Sequence, residues 1–304
     1  MDTVDEKIDK IDEKLDQALQ QQQHEPDIQI IEWDTLTLED EEANSGSYGT
    51  VHQGKWGSRQ VAVKVLNVGT VGKRVMKELT NEAKTHCCLR HPNIIFFYGI
   101  VLSPEPAIVM EWAAPSLSFF LEDWDDDDDI PWRQRWTMAH QIAKGMAFVH
   151  SNNILHHDLR ASNVLIGPKG SRFCRLCDFG LSRAKQQSTK NSKQKSGNPF
   201  WLSPEYYENP VRGYNASCDV FSFAVVMFEI ATYGKLPFED HQNINVQELY
   251  AKGMRNEAIE DNVPKEYKEM IELSWHQNPM KRPSFQQICE MISSSGVADP
   301  EITI

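Results

Sequence analysis

Asp158, Arg160 and Asn163 lie close together in Leu155-His156-His157-Asp158-Leu159-Arg160-Ala161-Ser162-Asn163. A carboxylate so placed can accept a hydroxyl proton, and a guanidinium can neutralise a phosphoryl group in transfer. An amide can lend an oxygen to Mg2+. Cys177-Asp178-Phe179-Gly180 adds a second metal-binding carboxylate. Val61-Ala62-Val63-Lys64 reads as an apolar strand carrying one lysine, and a buried ammonium needs an anionic partner. Glu82, on the helical stretch that follows, can supply it. Asn44-Ser45-Gly46-Ser47-Tyr48-Gly49-Thr50-Val51 lies between two strand candidates, where small residues let backbone N–H groups approach phosphates. Taken together, these groups can hold a nucleoside triphosphate through Mg2+, with Mn2+ as the alternative ion. Cys174 and Cys177 form a lone C-x-x-C. With no second ligand pair, they read as buried thiols beside a strand and not as a zinc site.

The elements that must position these residues change character along the chain. From Ile28 the pattern is one of short β-type runs, including Thr35 to Leu38, Gly49 to Gly54 and Gln60 to Val65. A helix is expected over Val75 to Leu89, then further strands through Met110. Beyond that, helices are expected over Trp132 to His150, Ala216 to Tyr233, Val246 to Met254, Lys265 to Trp275 and Ser284 to Ser293. The fold class is therefore α+β: a small strand-rich lobe followed by a larger helical one. Val4, Ile8, Ile11, Leu15 and Ala18 form a short heptad seam, which predicts an amphipathic or coiled-coil helix over 1–20. Pro26 breaks that pattern, and 21–30 is a linker. Self-association or partner binding through 1–20 is the expected use of the seam.

The chain has 304 residues, is 40% hydrophobic and 25% charged, and carries a formal charge of −13. This composition excludes collagen, a disulfide scaffold and wholesale disorder. Residues 1–43 hold 15 acidic and 3 basic side chains, so the charge sits on an N-terminal arm and the rest is nearly neutral. Such a balance argues against a nucleic-acid backbone as partner. Asp2, Asp5, Glu6 and Lys7 stand where the apolar core of a secretory leader would begin. The longest apolar stretch, Val220 to Thr232, contains Glu229 and is too short to span a bilayer. A cytoplasmic location is expected.

The ordered set S-G-S-Y-G-T-V, V-A-V-K, H-P-N-I (His91 to Ile94), H-H-D-L-R-A-S-N, D-F-G, S-P-E (Ser203 to Glu205), D-V-F-S-F (Asp219 to Phe223) and R-P-S-F (Arg282 to Phe285) resembles that of eukaryotic protein kinases. Trp33, W-L-S-P-E and G-K-L-P-F (Gly234 to Phe238) are similar to the tyrosine-kinase-like branch. Gly197 to Trp201 is similar to its LIM and testis-specific kinases. The resemblance implies a bilobal kinase domain over 31–295, with an N-lobe of about 31–110, a C-lobe of about 114–295 and a tail at 296–304. It implies ATP-dependent phosphorylation of protein substrates. By resemblance, Lys64 contacts the α- and β-phosphates and pairs with Glu82. Met110 is the gatekeeper, and the backbones of Glu111 and Ala113 bind adenine. Asp158 is the catalytic base, and Asn163 and Asp178 are the metal ligands. Glu205 with Arg282 and Asp219 are scaffold.

Several residues depart from the family pattern. Asn44 replaces the first glycine of the phosphate loop. His157 replaces the arginine that grips a phosphorylated activation loop, and an imidazole cannot reproduce that bidentate grip. Activity is therefore expected to depend little on loop phosphorylation at Ser188, Thr189, Ser192 or Ser196. His86 occupies an apolar spine position and reads either as a satisfied core histidine or as a pH-sensitive one. Arg160 stands where serine/threonine kinases carry lysine and Asn198 where they carry threonine, yet residues 181–202 contain no tyrosine. Serine/threonine specificity is expected, with dual specificity or tyrosine specificity as alternatives. A pseudokinase scaffold is the contrary reading, opposed by the joint presence of Lys64, Glu82, Asp158, Asn163 and Asp178.

Overall fold

The computed structural model describes residues 28–46, 49–66, 72–124, 129–167, 173–180, 182–184, 198–210, 213–239, 245–255 and 262–297. The expected heptad helix, Ser47 and Tyr48 of the phosphate-loop candidate, most of the aspartate run at 125–129 and the lysine-bearing segment 185–197 lie outside them.

The N-terminal lobe is a five-stranded antiparallel sheet of β1 (Leu36–Gly46), β2 (Gly49–Trp56), β3 (Arg59–Leu66), β4 (Phe97–Val101) and β5 (Ala107–Glu111), ordered β1-β2-β3-β5-β4. Side chains alternate across a strand, and β3 shows the consequence. Val61 and Val63 enter an outer cluster with Val101, Ala107 and Val109, while Ala62 and Leu66 enter an inner one. Helix α1 (Gly72–His86) covers the inner face with Leu79 and Ala83, placed there by the i, i+4 spacing. Lys64 and Glu82 share those two facing surfaces. The expected helix over Val75 to Leu89 is thus present but begins and ends three residues earlier.

The C-terminal lobe is built on α3 (Trp132–Ser151) and α5 (Ala216–Ala231). Every residue of α5 from Cys218 to its end is buried, as expected of a helix apolar on all sides at the centre of a domain. Helices α2 (Leu117–Glu122), α4 (Pro204–Glu208), α6 (Val246–Ala251), α7 (Lys265–Ser274) and α8 (Phe285–Ser295) complete it, α8 opening with a Ser284–Gln287 capping box. The helix expected over Val246 to Met254 stops at Ala251. Gly253, at φ +77°, turns the chain so that Met254 N–H bonds Leu249 O at 2.9 Å. Short pairs β6 (Ile154–Leu155) with β9 (Arg183–Ala184) and β7 (Val164–Ile166) with β8 (Cys174–Leu176) carry the polar segments between the lobes. β8 is tied to the N-lobe side by Ile95 N–H to Leu176 O and Leu176 N–H to Asn93 O, both 2.9 Å.

Candidate active site

Lys64 is the centre of the cleft. Its Nζ donates to Glu82 Oε1 and to Asp178 Oδ1, each at 2.9 Å. Burial disfavours the ammonium, but two carboxylates at that distance attract it by ~6 kcal/mol each at an effective dielectric of ~20. Together they exceed a burial cost of several kcal/mol. The Lys64 pKa is accordingly raised despite burial. Asp178 is also pushed upward by burial, and Lys64 reverses this and holds it below the usual carboxylate range. Burial pushes Glu82 up. A Cβ at Gly180 would meet Glu82 Oε2 at 3.0 Å and Asp178 Oδ1 at 3.2 Å, so a side chain there would press on both carboxylates.

The roof of the cleft is the inner sheet face. Val51 stands opposite Lys64, and Ala62 opposite Met110, all on one side of the sheet. Leu165 of β7 closes the same cluster from below; no motif marked it in the sequence. Thr50 pairs with Val65 on the outer face, so only its backbone can line the loop. Asn44, Ser45 and Gly46 pair antiparallel with Val51, Thr50 and Gly49. Gly49 is required there: φ is +152°, and a Cβ would sit 2.2 Å from Val65 O. Glu111, at the end of β5, gives its N–H to Phe96 O at 2.8 Å. Ala113 is buried against the inner cluster.

The segment from His156 to Asn163 hangs from Asp219. That fully buried carboxylate accepts from His156 N–H (3.0 Å), His157 N–H (3.1 Å), Tyr214 Oη (2.7 Å) and His150 Nε2 (2.8 Å). Burial alone would raise its pKa; the His150 hydrogen bond and the neighbouring imidazoles hold it down at about 2. His157 takes φ +68° and stacks on Tyr214, ring centroids 4.0 Å apart. Asp178, at φ +62°, is the second strained residue of the site. Asn163 donates its amide to Asp158 O at 2.8 Å and to Asp158 Oδ2 at 2.9 Å, leaving its side-chain oxygen as an acceptor. Its own carbonyl accepts from Cys177 N–H at 3.0 Å, which fastens it to the residue before Asp178. Arg160 Nε lies 3.6 Å from Asp158 Oδ2. The free oxygens of Asp178 and Asn163 form a hard donor set that fits a divalent cation of the Mg2+ kind. Cys174 and Cys177 are no competitors, because burial raises both thiol pKa values, Cys174 to about 12.

His86 is a satisfied core residue. It is packed against Phe179 (4.9 Å) and Phe97 (5.4 Å), and its Nε2 lies 2.7 Å from Ile95 O. A carbonyl only accepts, so that nitrogen carries the proton. Arg282 grips Glu205 through two parallel bonds of 2.7 and 2.9 Å. Glu229 was visible in the sequence only as a charge interrupting an apolar run. In the structure it is buried and accepts from Trp201 Nε1 at 2.8 Å and Ala161 N–H at 3.4 Å.

A two-lobed cleft gathering one ammonium, two oxygens that could hold a cation and an adjacent carboxylate fits a nucleotide-dependent phosphotransferase. The chain belongs to the protein tyrosine and serine/threonine kinase family, whose profile matches residues 38–292. It is 34% identical over 269 residues to the serine/threonine-protein kinase CTR1 of Arabidopsis thaliana, covering 86% of this chain and 32% of the relative. It is 31% identical over 264 residues to the probable serine/threonine-protein kinase SIS8 of the same plant, covering 86% and 25%. It is 31% identical over 251 residues to the serine/threonine-protein kinase STY46, also of Arabidopsis thaliana, covering 82% and 42%. The chain thus spans less than half the length of these relatives.

Proposed function

We propose that this chain is an ATP-dependent protein kinase that transfers the γ-phosphoryl group to serine or threonine hydroxyls of proteins. The observation that carries the reading is Lys64 bridging Glu82 and Asp178 at 2.9 Å each, an arrangement already assembled for a polyphosphate. Lys64 takes the α- and β-phosphates, and Glu82 keeps the ammonium in place when Asp178 turns to the ion. Asp178 and Asn163 hold Mg2+, with Mn2+ as the alternative. When bound, the metal offsets the negative charge of the β- and γ-phosphates. Asp158, oriented by Asn163, accepts the hydroxyl proton, and Arg160 neutralises charge on the group in transfer. Val51, Ala62, Met110 and Leu165 enclose adenine, with the backbones of Glu111 and Ala113 as its polar partners and Asn44 to Thr50 over the phosphates. The absence of tyrosine from 181–202 and the serine/threonine names of the relatives support the substrate class. The stacking of His157 on Tyr214 supports activity that does not wait for loop phosphorylation. Association through 1–20 and a cytoplasmic place belong to the same reading; among the described residues no helix is long and apolar enough to cross a membrane.

The test is transfer of labelled phosphate from Mg-ATP to a peptide array by the full chain, with phosphoamino-acid analysis. Labelled phosphoserine or phosphothreonine is expected, and K64M and D178N should each lose 100-fold or more, on the order of what one charge-stabilising group supplies. A wild-type chain that binds nucleotide but labels no polypeptide supports the scaffold reading instead.

A further inference from the structure

Strand β4 is flanked by uncovered apolar side chains. Among the described residues seven large hydrophobic side chains are exposed, and three of them, Ile30 (49%), Phe96 (40%) and Leu102 (42%), lie beside this one five-residue strand. Their surroundings are aromatic. The Phe96 ring lies 5.1 Å from that of Tyr98, and Tyr98 lies 5.8 Å from Trp56, a ridge that runs onto the outer face of the sheet. A guanidinium is stacked at each end, Arg90 at 5.8 Å from the Phe96 centroid and Arg59 at 5.6 Å from that of Tyr98. Both arginines are exposed, and among the described residues neither is paired with a carboxylate. Glu111 accepts Phe96 N–H at 3.4 Å but is turned to Arg175 at 3.6 Å. An arginine stacked through its face keeps its N–H edge for an acid.

The same strand is where the N-terminal arm joins the lobe. Ile31 N–H bonds Ile100 O at 2.8 Å, Ile100 N–H bonds Gln29 O at 2.9 Å, and Ile30 bridges Ile100 in parallel. The sequence ahead of Ile28 holds the apolar seam Val4, Ile8, Ile11, Leu15 and Ala18. On a helix, the spacing of Asp5, Asp9, Asp12 and Asp16 sets all four along one flank of that seam, with Lys7, Lys10 and Lys14 along the other. A seam of two heptads pairs weakly with a second copy of itself. By contrast, a tether of about seven residues, 21–27, reaches roughly 24 Å. It holds the seam beside β4 at an effective concentration on the order of millimolar.

We propose that residues 1–20 form a helix that docks on this chain's own N-terminal lobe, its seam on the Phe96–Tyr98–Trp56 ridge and its aspartate flank on Arg59 and Arg90. This names the partner of the association through 1–20. Arg90 follows the turn that closes α1, in which Leu89 N–H bonds His86 O at 2.9 Å, so the docked arm also braces the helix that carries Glu82.

The experiment is backbone hydrogen exchange of the full chain, wild type against R59E/R90E and I8D/I11D. Both arginines are exposed and the seam precedes the lobe, so β2 and β3 should exchange alike in all three. In wild type, exchange over 1–20 should run about 10-fold or more below the random-coil rate, the protection of a segment that is closed most of the time. It should return to the coil rate in both variants. Dilution should leave the protection unchanged, and high salt should weaken it, because exposed charge pairs are screened. Coil-rate exchange over 1–20 in wild type overturns the docking, and so does protection that survives R59E/R90E. Protection lost on dilution, with sedimentation showing a dimer, assigns the seam to a second copy and overturns it as well. The readout needs no turnover, so its failure leaves the kinase reading standing.

Discussion

A histidine in a hydrophobic cluster carries a pH-dependent term that a leucine would not. Burial holds the His86 pKa down at about 4, against an ordinary value of 6.5, with Lys64 adding to the depression and the Ile95 carbonyl and Asp178 opposing it. Between those two pH values the unfolded chain takes up a proton that the folded chain refuses. Native stability therefore falls as pH drops from about 6.5 to about 4, by up to ~3 kcal/mol. H86L should flatten that limb in urea unfolding followed across pH. It should also cost little at pH 7 beyond the ~1–3 kcal/mol of an unpaired Ile95 carbonyl. An acid limb as steep in H86L as in wild type would assign the loss to other groups. The sequence offered both a core role and a pH-sensitive one. The contact with Phe179 joins them, because the same ring that fills the core touches the residue after Asp178.

At the scale of elements, Asp219 shows how one side chain in the first turn of α5 suspends the whole segment that carries Asp158. Its four donors come from three places in the chain, two of them backbone N–H groups that a carboxylate can accept from but an amide NH2 would repel. D219N should destabilise the protein at pH 7 by about 3 kcal/mol, the usual cost of breaking a buried charged network. The carboxylate is held at about 2 when folded and near 3.8 when free. Its contribution is therefore present above pH 4 and fades as pH falls toward 2. The gap between wild type and D219N in unfolding free energy should narrow over that window, and a gap constant with pH would mean that its charge is not what holds the segment. Much at this scale was legible in advance. The apolar run Val61 to Val63 ahead of Lys64 predicted β3 with its lysine, and the helical stretch that follows offered Glu82 as the partner. What was not legible is bonding between residues distant in the chain whose types carry no signal. Gln247 sits 45 and 48 residues from the Leu202 and Pro199 carbonyls it holds, and Tyr250 sits 50 from that of Phe200. Leu165 looks like any strand leucine until β7 is seen beneath Ala62.

Across the whole molecule, two buried ionisable groups pull stability in opposite directions with pH. Glu229 is the counterpart of His86: burial raises its pKa to about 8, although Trp201, Ala161 and Arg160 all favour its charge. From about pH 4.5 upward the unfolded chain sheds a proton that folded Glu229 keeps. Native stability accordingly falls as pH rises toward 8, by an amount on the order of 4 kcal/mol. Between about 4.5 and 6.5 the gain from His86 offsets this loss; between 6.5 and 8 only Glu229 acts. The wild-type profile should therefore be broad below neutrality and slope downward above it. E229Q keeps a side-chain carbonyl for the Trp201 indole and Ala161 N–H while removing the ionisation. Its stability should match wild type near pH 4.5 and exceed it progressively up to pH 8, giving a plateau where wild type declines. His86 and Glu229 share no hydrogen-bond or ring partner, so the H86L and E229Q effects should add within about 0.5 kcal/mol. Denaturant titrations of wild type, both single variants and the double variant at pH 5, 6.5 and 8 measure this directly. An E229Q profile parallel to wild type from 6.5 to 8 would show that Glu229 is ionised in the native state, with its two donors and Arg160 outweighing burial.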